Sequence, residues 1–233
     1  MNPNDFKKGL NHGIPIALGY LSVSFGFGIL AVNLHLPVIW AILISASNLT
    51  SAGQVAGVEV IAAQGAFTEM AFTQLIINLR YALMGFSLTQ KLDQSFSIPR
   101  RMLLSFGITD EVYAVAISQT GKISSRYMAG LITLPFFGWT FGTFLGGFAG
   151  KLLPEQIVSA MGIVLYGMFI AIVLPVCRKN KAVLLVSVLA AGFRILFQIF
   201  FPNFSGGFAI VISALAASVL IAALFPARAK EDA

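Results

Sequence analysis

Long apolar runs, bounded by proline, glycine or charge, follow one another down this chain with little polar interruption. A helix that crosses a membrane needs about 20 mostly apolar residues. By that measure the chain holds eight segments, at 14–34, 38–62, 67–90, 102–120, 127–149, 156–176, 182–201 and 206–225. Pro37 and Pro154 open segments at the first-turn position, where a missing N–H is no loss. The polar stretches Lys91 to Arg101 and Arg178 to Lys181 separate others. The pattern predicts an all-α integral membrane protein with about six to eight hydrophobic helical segments, some broken or re-entrant. It reads as a single transmembrane domain over 1–233, with a short basic entry at 1–10 and a charged exit at 226–233.

Composition excludes the alternatives to a membrane fold. The chain has 233 residues, 58% apolar and 10% charged, with a mean hydropathy of +0.88, whereas soluble domains carry about 25% charged residues. The net charge of +6 is spread over pairs such as Arg100-Arg101, too small and scattered for a nucleic-acid surface. The single cysteine, Cys177, rules out an internal disulfide and a paired-thiol metal site. His12 and His35 are too far apart in sequence to form a metal pair, and no phosphate loop, His-Glu-x-x-His or Gly-x-Ser-x-Gly is present. The reading is therefore a non-enzyme with no cofactor and no metal.

The basic residues raise a topological question. Eight simple crossings with both termini inside put nine basic residues on the cytoplasmic side and four outside. Three of those four, Lys91, Arg100 and Arg101, share one loop and break the positive-inside rule locally. If one of the second and third segments, and also the fourth, dipped in and returned, these three would move inside. Backbone that turns back at membrane depth is tolerated only where protein or a wet cavity covers it, so the anomaly points at residues 45–120.

Polar chemistry inside the apolar chain falls into three clusters. Ser45 to Gln54 includes Ser47, Asn48, Thr50, Ser51, Gly53 and Gln54, a run suited to unwinding a helix in mid-segment. Exposed backbone there could hold the ends of a small zwitterion, or the run could form a polar helix face bonded to its neighbours. Arg80, within Asn78-Leu-Arg-Tyr81, lies about ten residues from either segment end, too deep to reach water by extension. It needs a partner, and Thr109-Asp110-Glu111 supplies two acids. Neighbours on a helix point about 100° apart, so only one of them can pair fully with Arg80. Glu69, near a segment start, reads as solvated. Phe25, Phe27 and Leu83 are candidate apolar walls for a side chain.

Gly138, Gly142, Gly146 and Gly150 recur every four residues in the fifth segment, a face that lets another backbone approach closely. Contact within the subunit is the first reading and a subunit interface the second. The first segment carries a similar stripe, Tyr20, Ser24 and Gly28, and both lead into Leu-Pro. This hints at a weak internal four-plus-four repeat.

Ser24-Phe-Gly-Phe-Gly28, the Ser47 to Gln54 stretch, Asn78-Leu-Arg-Tyr81 and Thr109-Asp-Glu111 occur in an order that resembles the AzlC-type branched-chain amino-acid permease family. The resemblance implies export of leucine, isoleucine and valine together with a small AzlD-type membrane subunit. It also implies functional roles for Gln54, Asn78, Arg80, Asp110 and Glu111. Tyr81 stands where the family often has histidine, so no imidazole can titrate there. The expected function is a secondary exporter of hydrophobic amino acids in the bacterial inner membrane, driven by a proton or cation gradient. In this reading Asn48, Thr50, Ser51, Gln54, Asn78, Arg80 and Tyr81 bind substrate, and Asp110 and Glu111 carry the coupling proton or ion. A channel for small polar solutes and a non-transporting scaffold are the alternatives.

Overall fold

The computed structural model describes residues 4–152, 154, 156, 170, 174, 177–178, 180–202 and 204–225. These form nine helices: α1 (Asn4–Asn33), α2 (Val38–Ser47), α3 (Ala52–Ala62), α4 (Phe67–Thr89), α5 (Ile98–Ser105), α6 (Asp110–Ile117), α7 (Ser125–Leu152), α8 (Lys181–Phe200) and α9 (Gly206–Leu224). Among the described residues there is no strand, only an isolated bridge between Leu92 and Ile123. Four helices, α1, α7, α8 and α9, are long and apolar enough to cross a membrane. Most of the expected segment at 156–176, Lys179 and the tail at 226–233 lie outside the described residues.

Two long helices make the spine. α1 and α7 run parallel and in register: Gly130 sits on Phe6 and Leu10, Gly138 on Ala17, Gly142 on Leu21 and Gly146 on Phe25. The sequence places the first segment at 14–34, but α1 starts ten residues earlier because its close approach to α7 already begins at Phe6. The basic entry with Lys7 and Lys8 is thus helical. The end of the bundle where α1 and α7 begin is called the lower end below.

The second predicted segment does not cross. α2 descends from the upper end, with Val38 against Gly147 and Ser45 bonded to Thr143 at mid-height. The chain breaks at residues 48–51, where Ser51 takes φ +48°. α3 then climbs back antiparallel to α4, with Gly53 beside Gln74 and Gly57 beside Met70. α4 is unbroken, and its 23 residues make a rod of about 34 Å. Its lower end is tied to the start of α7 by Lys122 Nζ donating to Gln90 O at 2.6 Å and by two backbone bonds between residues 91–93 and Ile123.

The fourth predicted segment also turns back, this time from the lower end. α5 rises beside α7, from Arg100 near Arg126 to Phe106 against Phe136. After residues 106–109, α6 descends beside α4, from Asp110 at Arg80 through Tyr113 at Ser87 to Ile117 at Lys91. The plan of one long helix followed by two half-helices is therefore used twice, in α1–α3 and in α4–α6, pointing in opposite directions. This is the inverted arrangement found in many carriers. The four-plus-four repeat suggested by the sequence would need residues 156–176, most of which lie outside the described residues.

The hairpins explain the loop that breaks the charge rule. Lys7, Lys8, Lys91, Arg100, Arg101, Lys122, Arg126 and Lys181 all sit at the lower end, Lys181 because α9 starts at the upper end beside Glu69 and α8 runs antiparallel to it. A cysteine scan in a Cys177→Ala background tests the two hairpins together. Gln94→Cys and Thr120→Cys should react with an impermeant thiol reagent from one face of the membrane, and Ala63→Cys only from the other. Labelling of Gln94→Cys and Thr120→Cys from opposite faces would mean that α5–α6 crosses.

Candidate functional site

The tips of the two hairpins meet at mid-height between α1 and α4. The dipole of each returning half-helix, α3 and α6, places its positive N-terminal end there. A cavity of about 680 Å3 lies at this junction. Arg80, Asp110, Glu111 and Ser51 give it polar groups, while Ile16, Val23, Leu49, Ile77 and Trp139 give it apolar walls. Gly19 faces it too, and a Cβ built there would meet nothing within 4 Å.

The charged cluster is held by α1 and α4. Arg80 Nη1 of α4 pairs with Asp110 Oδ2 at the first turn of α6. Its guanidinium also lies 5.0 Å from the ring centroid of Tyr81, and Nη2 donates to the Tyr81 hydroxyl at 3.3 Å. Glu111 turns away from Arg80 to Tyr20 of α1, whose hydroxyl lies 2.5 Å from both Glu111 Oε2 and Thr109 Oγ1. A phenol has one proton, and the carboxylate is the stronger acceptor, so Tyr20 donates to Glu111 and Thr109 donates to Tyr20. Thr109 Oγ1 in turn accepts from Val112 N and caps α6. The two acids thus have different partners, as the 100° between neighbouring helical positions requires.

The Arg80 and Asp110 side chains remain 42% and 47% exposed. That exposure opens on the cavity, so the pair is accessible to a ligand.

Not every sequence candidate reaches the cavity. Gln54 is 1% exposed and fully engaged: Nε2 donates to Ser45 Oγ at 2.9 Å, and Oε1 accepts from Trp139 Nε1 at 2.9 Å. It pins the start of α3 to α2 and α7, behind the cavity wall. Asn78 donates to Gln74 Oε1, and Gln74 Nε2 donates to Gly53 O at 2.7 Å, which ties α4 to the upper hairpin tip. Asn48 and Thr50 line a smaller neighbouring cavity of about 330 Å3 with Tyr81, Ser105 and Phe106. Thr50 Oγ1 and Asn78 Oδ1 are buried without a hydrogen-bond partner among the described residues.

Several side-chain expectations change with the fold. Phe27 is 1% exposed in a core with Ala31, Ala41, Val55 and Val58, and Leu83 is 70% exposed on the outer face, so neither lines the cavity. Glu69 is not solvated: it is 7% exposed and accepts Gly207 N at 2.8 Å, capping α9. Tyr20, Trp139 and Gln74 are the structural contributors that sequence reasoning missed. Their signal was a polar group within an apolar run, at lower density than in the three clusters.

Gly138, Gly142 and Gly146 lie against α1 within this chain, and Gly150 makes an ordinary contact with Ile29. The glycine stripe therefore serves packing inside the subunit.

Comparison with known proteins places the chain in a family. The chain is 27% identical over 184 residues to the inner membrane protein YgaZ of Escherichia coli, covering 76% of this chain and 75% of that protein. It is 30% identical over 172 residues to an uncharacterized membrane protein of Archaeoglobus fulgidus, with coverage of 73% and 75%. It is 25% identical over 183 residues to the branched-chain amino acid transport protein AzlC of Bacillus subtilis, with coverage of 76% and 69%. No solved structure matches the chain. The AzlC protein family model matches residues 15–153, from α1 through both hairpins to the end of α7 and so including every charged residue of the cavity; the chain belongs to the AzlC family.

Proposed function

We propose that this chain is a secondary carrier that exports branched-chain and other hydrophobic amino acids across the bacterial inner membrane, coupled to a proton or cation gradient. One observation carries the reading: an ion pair and a second acid face an apolar-walled cavity where two half-helix N-termini converge. The name of the Bacillus relative supports branched-chain amino acids as the cargo.

The chemistry suits a zwitterion with a greasy side chain. The substrate carboxylate goes to Arg80 and the N-terminal end of α3 at Ser51, where guanidinium and helix dipole both favour negative charge. In taking Arg80 it displaces Asp110. The freed Asp110, with Glu111, receives the substrate ammonium or a proton, which links binding to coupling. Ile16, Val23, Leu49, Ile77 and Trp139 take the side chain. The upper hairpin α2–α3 and the lower hairpin α5–α6 close the cavity from opposite faces and serve as the two gates. Bases gathered at the lower end make that end cytoplasmic by the positive-inside rule, with the N-terminus inside. A small AzlD-type subunit completes the transporter.

The test is radiolabelled leucine flux in proteoliposomes containing the chain and its small subunit. Flux should saturate and respond to an imposed pH or cation gradient. Linear flux indifferent to any gradient would defeat the carrier reading. Gly19→Leu should fill the open side of the cavity and lower leucine transport at least tenfold, a one- or two-methylene misfit being worth about 1–3 kcal/mol. Alanine transport should fall much less; equal loss of both would show that Gly19 does not face the side chain.

A further inference from the structure

A second cationic pocket lies at the lower end, outside the transport site. It has a volume of about 330 Å3 and sits between α5, α7 and the start of α1. Arg100 and Arg126 line it above a floor that includes Phe6, Leu103 and Ala129. Arg100 Nη1 donates to Ser95 O at 2.8 Å. Among the described residues Arg126 has no hydrogen-bond partner, and neither guanidinium has a carboxylate within 4.0 Å.

Two guanidiniums lining one pocket repel each other, and an anion between them turns that repulsion into attraction. A guanidinium presents a planar fork that matches phosphate oxygens, so phosphate is the preferred anion. The floor sets the second requirement. Leu103 is 74% exposed and Phe6 40% exposed, so the pocket opens sideways onto apolar surface where acyl chains lie. The ligand needs an anionic phosphate at one end and hydrocarbon at the other. The site also stands at the end of the bundle where the bases collect, the expected depth of lipid headgroups.

We infer that this pocket binds the headgroup phosphate of an anionic phospholipid, with an acyl chain laid along Leu103 and Phe6. The lipid then bridges α5, the rising arm of the lower hairpin, to α1 and α7. Because α5 leads directly into Thr109, Asp110 and Glu111, the bound lipid braces the hairpin that carries both acids.

The test uses the purified full chain in neutral detergent, read by native mass spectrometry and thermal unfolding. Phosphatidylglycerol should be retained and should raise the unfolding temperature, whereas phosphatidylcholine of the same chain length should do neither. Arg100→Gln and Arg126→Gln should each lower phosphatidylglycerol occupancy about fivefold, the effect of one basic residue near a charged lipid surface. Lys181→Gln, at the same end but outside the pocket, should leave it unchanged. If Arg100→Gln unfolds for want of its bond to Ser95, Arg126→Gln loses no protein hydrogen bond and gives the reading alone. Wild-type occupancy in Arg126→Gln would overturn the proposal. Equal stabilisation by inorganic phosphate would overturn the lipid assignment in favour of a soluble anion. Neither readout depends on leucine flux, so the outcome stands apart from the transport reading.

Discussion

Arg80→Gln is expected to lower leucine flux about a hundredfold, and the double variant Arg80→Gln/Asp110→Asn is expected to fold better than the single one without recovering transport. The substitution leaves Asp110 facing the cavity with no cation. Truncating one partner of a buried, hydrogen-bonded charge pair costs about 2–5 kcal/mol. Here both side chains are 42–47% exposed to the cavity, and solvent screening there puts the effect near the low end. A loss of about 2.7 kcal/mol corresponds to a hundredfold. The double variant removes the orphaned acid and with it the folding penalty, but it also removes both the proposed carboxylate receptor and a proposed ammonium receptor. Initial rates in proteoliposomes and thermal unfolding of the purified protein separate the two effects. A single variant that transports within twofold of wild type would make the pair merely structural.

That pairing was readable from the sequence because charge is scarce in lipid. Arg80 lies about ten residues from either end of its apolar segment, and the nearest acids in a comparable apolar setting are Asp110 and Glu111. The break at 48–51 was readable for a related reason: Ser, Asn and Thr compete with the helix backbone for hydrogen bonds and weaken it where they cluster. The positions of the bases carried the most topological information, since three of them in one loop conflicted with simple crossings.

Direction was not readable in the same way. Hydropathy sums composition over a window, so two apolar half-helices of 10 and 11 residues look like one crossing of the same length. Which of the second and third segments turned back became visible only in the pairing of Gly53 and Gly57 with Gln74 and Met70. Long-range partners were hidden too. Glu69 accepts from Gly207, 138 residues away, and nothing local announces that bond. Gln54 shares a sequence neighbourhood with Thr50 and Ser51 yet points into the α2–α7 contact, because its amide is matched there at both ends. The tips also show that the site is built by two hairpins of one plan in opposite senses, so that each half of the cavity is supplied from a different face.

Gly146→Ala is the second large effect expected, and its contrast with Gly150→Ala makes it informative. A Cβ on Gly146 overlaps the carbonyl oxygen of Phe25, and that oxygen belongs to the α1 backbone, which cannot rotate aside as a side chain would. A Cβ on Gly150 would lie 3.5 Å from Ile29 Cα, an ordinary contact. Inserting a methylene into a packed seam typically costs about 1–3 kcal/mol, and a clash with backbone belongs at the top of that range. Gly150→Ala should be neutral or slightly stabilising, because alanine favours helix over glycine by about 1 kcal/mol. Thermal unfolding of the purified single chain reads both: a clear fall for Gly146→Ala and none for Gly150→Ala. The same measurement decides between packing within the subunit and a subunit interface. If the stripe served a partner, Gly146→Ala would leave the unfolding of the isolated chain unchanged and would instead weaken binding of that partner.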